Sequence, residues 1–100
     1  MPKNDHYNKE WVPGQLALSL MGHDKGRVYV VLQSEGERLY VADGMRRTLE
    51  RPKLKSFKHV QKIPISLERL LENVQMGSLT DGDIKKAIKT YKLMMKDQEE

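Results

Sequence analysis

The sequence predicts a mainly β protein with an α component, a small five-stranded barrel followed by a C-terminal helical hairpin. Three observations lead there. Apolar residues alternate with period two from Leu16 onward, the period becomes helical after Pro64, and 100 residues leave room for one compact unit.

The strands follow in order. Leu16, Leu18 and Leu20 share one face of the first, with Ala17 and Ser19 on the other. Val28, Val30 and Leu32 mark the second, with Tyr29 and Val31 facing the opposite way, and Leu39 and Val41 alternate with Tyr40 and Ala42 in the third. The connections, Met21 to Gly26 and Ser34 to Glu37, are rich in turn formers, as antiparallel hairpins require. A fourth and fifth strand are expected within Thr48 to Lys62, with Leu49, Leu54, Phe57 and Val60 as apolar anchors. Pro52, which cannot donate to a ladder, points to an edge there. Short strands in an open sheet of this size would leave unprotected edges, so residues 12–63 are expected to roll into a barrel. Trp11 is expected to cover one end of it, and at least one of Tyr29 and Tyr40 to pack inside.

Beyond Pro64, residues 64–100 read as the helical hairpin and its tail. Leu67, Leu70, Leu71 and Val74 lie on one helical face with Ser66 as N-cap, and Gly77 ends the helix. Thr80 caps a second helix, with Asp81 and Asp83 in its first turn, where the helix dipole favours negative charge. Ile84, Ala87, Ile88, Tyr91 and Met95 form its apolar stripe. Leu70 and Leu71 are expected to pack on Ile84 and Ile88 and to support the barrel. Residues 1–11 read as a flexible tail without the apolar stretch of a secretory signal.

Composition narrows the function. With no cysteine, disulfides and thiolate metal sites are excluded. The longest apolar run, Val28 to Leu32, is far too short to span a bilayer, which needs about 20 residues. His6, His23 and His59 lack ligand spacing, no nucleophile stands beside a base, and no glycine-rich phosphate loop is present. Asp24 and Asp43 read as turn formers. No catalytic residue, metal or cofactor is expected.

The net charge of +4 is unevenly placed. Residues 1–42 balance, residues 63–100 carry −1, and the twenty residues 43–62 carry +5 from Arg46, Arg47, Arg51, Lys53, Lys55, Lys58 and Lys62 against Asp43 and Glu50. Such a segment suits a polyanion, and it equally suits a solvated loop. Strand alternation places Lys53 and Lys55 on one face and Lys58 on the other.

One run of residues goes further. The stretch from Gly14-Gln15-Leu16 through Met21-Gly22-His23-Asp24-Lys25-Gly26-Arg27-Val28-Tyr29-Val30-Val31 resembles the KOW motif of ribosomal proteins and transcription elongation factors. Downstream, Tyr40 to Gly44, Arg46-Arg47, Leu49-Glu50, Pro52-Lys53, Lys58-His59-Val60 and Leu79-Thr80-Asp81 with Ile84 extend the likeness. The pattern is that of bacterial KOW-domain RNA-binding proteins related to archaeal and eukaryotic large-subunit ribosomal proteins. The resemblance runs from about Val12 to Tyr91 and implies an SH3-like barrel. It also implies a cytoplasmic, monomeric, non-catalytic RNA-binding role, with ribosomal RNA or the ribosome as partner and no membrane. The RNA-binding residues would be Lys25, Gly26, Arg27, Arg46, Arg47, Arg51, Lys53, Lys55 and Lys58. The bare residues allow Gly26 to be an ordinary hairpin glycine. The rival class is a protein-interaction module of the transcription or translation machinery, binding ribosomal or transcription proteins.

Overall fold

A computed structural model describes residues 11–98. Five antiparallel strands, β1 (Leu16–Ser19), β2 (Val28–Glu35), β3 (Arg38–Ala42), β4 (Lys53–Ser56) and β5 (Val60–Lys62), form one sheet in the order β4-β3-β2-β1-β5. A 3-10 turn, Phe57–His59, joins the outer strands, and two helices follow, α1 (Glu68–Gln75) and α2 (Asp81–Gln98). This is the mixed fold expected, a barrel-like sheet and then a helical hairpin. Of the tail expected at residues 1–11, residues 1–10 lie outside the described part of the chain, while Trp11 is packed on the inner core with its ring centroid 5.5 Å from the Lys62 ammonium.

Strand alternation gives the sheet two buried faces. Ala17, Tyr29, Val31, Leu39, Val41 and Val60 line the inner face, where Trp11 and Phe57 join them. Leu16, Val28, Val30 and Ala42 line the outer face, and Leu70, Ile84, Ala87 and Ile88 of the helices cover it together with Ile63. The hairpin therefore packs on the barrel's outside, which is why both residue sets of β2 are apolar. Tyr29 and Tyr40 lie on opposite faces, Tyr29 buried and Tyr40 half-exposed with its hydroxyl donating to Glu35.

The barrel does not close through its backbone. β4 and β5 share no ladder, and the 3-10 turn bridges them by donating Phe57 N–H to Glu37 and accepting Leu20 N–H at His59. Three local expectations change. Residues 48–52 form a loop, leaving Lys53–Ser56 as a short edge strand just after Pro52. Within it the register Leu39↔Lys55 turns Lys55 inward and leaves Leu54 40% exposed, the reverse of an apolar anchor. Ser66 does not cap α1. That helix starts one residue later, with Leu67 at the N-cap and no side-chain bond. At α2 the expectation holds in full: Thr80 Oγ1 accepts from Asp83 N–H, and Asp83 Oδ2 accepts from Thr80 N–H.

The start of α2 is docked on the β3–β4 loop. Leu49 N–H donates to Asp81 Oδ1 at 2.8 Å, and Gly44, with φ of 81°, sits where a Cβ would strike the Asp81 carbonyl oxygen and the Lys85 side chain. Gly26 has a similar φ of 89°, with no atom of the described residues within 4 Å of where a Cβ would sit. Gly26→Ala should therefore cost only the left-handed strain, about 1 kcal/mol. Gly44→Ala should add the steric displacement of α2 and cost about 2–3 kcal/mol, giving roughly twice the fall in Tm by calorimetry.

Candidate functional site

Two carboxylates read from sequence as turn formers organise the cationic end of the molecule. The Asp24 side chain is buried, and it accepts from Ser19 Oγ (3.0 Å), Tyr29 Oη (2.7 Å) and Lys55 Nζ (3.1 Å). Lys53 Nζ adds a further contact at 3.1 Å. Burial by itself would raise this carboxyl. The hydrogen bonds from Tyr29, Lys53, Lys55 and Ser19 outweigh it and hold the group far below the ordinary carboxylate range. Burial, and then the bond to Asp24, push the Tyr29 hydroxyl the other way, to well above its ordinary value.

Asp43 is the second. Burial opposes its ionisation, but Oδ1 accepts the backbone N–H groups of Arg47 and Met45, both at 2.9 Å, and Oδ2 pairs with Arg27 at 3.3 Å. Its carboxyl is lowered as a result. Arg47 O accepts the N–H groups of Asp43 and Gly44, which completes a tight loop with Met45, Arg46 and Arg47 exposed at its tip.

The nine residues singled out in the sequence fall in four places. Lys25, Gly26 and Arg27 stand together on the β1–β2 loop, Lys25 exposed and Arg27 half-exposed. Arg46, Arg47 and Arg51 are exposed on the β3–β4 loop, and Lys58 is exposed on the 3-10 turn. Lys53 and Lys55 do share a face, as strand alternation requires, but it is the inner one. Their ammonium groups are turned onto Asp24, and Lys55 is 8% exposed, so it is removed from the solvent-facing cluster.

What replaces them came from outside the basic segment. The β1–β2 loop faces α2 across an open groove of about 1030 Å³, with Lys25 and Arg27 on one wall and Lys85, Lys86, Lys89, Lys92 and Lys96 on the other. Among the described residues none of these five lysines has an ion-pair partner. Asp24 and Asp43 also border the groove, both already engaged. Met45 and Leu93 add exposed apolar surface to it. The sequence held a signal for the second wall: from Ile84 to Lys96 α2 carries five lysines and no acid. A segment balance of −1 concealed it. Among the described residues no cluster of three His, Cys, Asp or Glu side chains gathers to hold a metal, and no helix is long and apolar enough to cross a membrane.

No protein-family model matches the chain, and no curated protein matches it.

Asp24→Asn should destabilise the fold by about 3–5 kcal/mol, because it leaves the Lys55 cation buried without its counter-charge. Adding Lys55→Met should recover part of the loss in urea unfolding. The pH dependence has a definite sign. Asp24 and Asp43 ionise more readily folded than unfolded, so their contribution is whole above about pH 5 and is lost as pH falls below the unfolded carboxylate range. The urea midpoint of the parent should therefore drop between about pH 5 and pH 2, and the drop should be smaller in Asp24→Asn.

Proposed function

We propose that this chain is a non-catalytic RNA-binding protein of the KOW kind, cytoplasmic, and associated with the ribosome or ribosomal RNA. The observation that carries the reading is the groove in which Lys25 and Arg27 face five lysines of α2 that have no ion-pair partner among the described residues. Seven cations converge there on a surface whose two bordering carboxylates are already engaged, so a polyanion meets little repulsion. The backbone N–H groups of Lys25, Gly26 and Arg27 are donated within the loop, and the open space beside Gly26 leaves room for a phosphate to approach the Lys25 and Arg27 side chains that flank it. Arg46, Arg47 and Arg51 extend the field beyond Met45, and Arg guanidinium groups there can pair bidentately with phosphates. The resemblance of Gly14 to Val31 to the KOW motif supports the same reading, with the β1–β2 loop as its tip.

The test is RNA binding by fluorescence anisotropy over a salt series. Each phosphate contact contributes a log–log slope of about −0.7 to −0.9, so Lys25→Gln should flatten the slope by roughly that amount. Arg46→Glu combined with Arg47→Glu should weaken binding and flatten it further. Circular dichroism and Tm should stay unchanged in both variants, because exposed cations contribute little to stability and the Asp43 loop is held by backbone N–H groups. A parent that shows no salt-dependent RNA affinity would reject the reading and favour a protein partner for the same surface.

A further inference from the structure

Resting on the RNA-binding reading, we infer that the ligand of the groove is duplex RNA, held by its phosphate backbone between the β1–β2 loop and a lysine row on α2. The row is Lys85, Lys89, Lys92 and Lys96. At 3.6 residues per turn these positions fall within an arc of about 60°, and they run along roughly 16 Å of helix. All four are exposed and all four border the groove.

Single-strand binders depend on aromatic platforms on which successive bases stack. Among the described residues the groove has none: no Phe, Tyr or Trp borders it, and His23 is the one ring there. Each described aromatic is employed elsewhere. Tyr29 is in the inner core with Trp11 and Phe57 packed on it, Tyr91 packs on the sheet–helix core, and Tyr40 binds Glu35. A flexible strand entering this groove would lose conformational freedom with no stacking to offset it. A duplex is already ordered. Its bases face inward, so its surface is phosphate and ribose, which cations and the exposed Met45 and Leu93 side chains can contact.

Both walls are held before any ligand arrives. The β1–β2 loop is anchored by Asp24, and α2 begins at the reciprocal Thr80–Asp83 cap and the Leu49–Asp81 bond. Fixed cations suit a fixed phosphate array, which is how proteins recognise duplex RNA by shape.

The experiment uses the full chain with three labelled probes of matched length: an RNA duplex of about 20 base pairs, one of its strands chosen to be unstructured, and the DNA duplex of the same sequence. The RNA duplex should bind at least about tenfold tighter than the single strand at 0.1 M salt. Lys89→Glu with Lys92→Glu should weaken duplex binding about tenfold or more while leaving Tm unchanged. Equal or tighter binding of the single strand would overturn the duplex assignment while sparing RNA binding. Equal affinity for the DNA duplex would reduce the groove to unselective polyanion capture and overturn the assignment too. A lysine double variant that binds the duplex like the parent would remove α2 from the site. Failure of every probe to bind would reject the RNA reading itself.

Discussion

The buried carboxylate of Asp24 is the contact on which the rest of this structure depends. β4 and β5 do not pair, so backbone hydrogen bonds leave the barrel open. Asp24 spans part of what is missing. From the loop after β1 it reaches Ser19 at the end of β1, Tyr29 on β2, and Lys53 and Lys55 on the edge strand β4. A lysine pointing into a barrel is costly unless its ammonium is matched, and here two lysines share one carboxylate that two hydroxyls also satisfy. Lys55 donates in addition to the Met21 carbonyl oxygen, so the loop is tied to β4 by its backbone as well as its side chain.

That arrangement sorts the charges. Asp24 draws Lys53 and Lys55 inward, and Asp43 spends its two oxygens on its own loop and on Arg27. The acids nearest the groove are thereby neutralised by internal partners, while Lys25, Arg46, Arg47 and the α2 lysines keep their charge at the surface. The positive surface results as much from where these two carboxylates are placed as from the number of cations. A sum over sequence segments cannot register this, because it counts Lys55 and Lys25 alike although one is buried and the other is exposed.

Much of the fold was legible in the sequence because period-two and helical alternation act locally. The faces of β1, β2 and β3 follow directly from Leu16, Val28 and Leu39 and their neighbours, and Thr80 with Asp83 announces α2. The errors fall where a distant group decides the outcome. Leu54 looks like an anchor and Lys55 like a surface cation, and only Asp24, 31 residues away, inverts them. Ser66 has the chemistry of a cap, but α1 begins at Glu68, which puts Leu67 and not Ser66 at the N-cap. For the candidate site, the β1–β2 loop and the arginines could be picked out from the sequence, and the lysines of the opposing wall were visible as a run of α2 without acids, but their position across from that loop was not. Lys85, Lys89, Lys92 and Lys96 join that loop only through packing of Ile84 and Ile88 on the outer face of β2, a tertiary contact with no local signature.

The same packing explains how a small domain can hold a groove open without filling it. α2 buries Ile84, Ala87 and Ile88 against the sheet, whereas Lys92, Leu93, Met94, Lys96 and Asp97 are exposed. At 1.5 Å per residue the 18-residue helix is about 27 Å long, and its deepest contacts lie in its first half. The direction of the exposed half is therefore set near the N-terminus, where Gly44 lets the Asp81 carbonyl approach the β3–β4 loop and Leu49 bonds the Asp81 side chain. That loop is shaped by Asp43, which also holds Arg27 on the opposite wall. One carboxylate thus connects both sides of the groove, so the spacing between its cationic walls is determined by the packed domain.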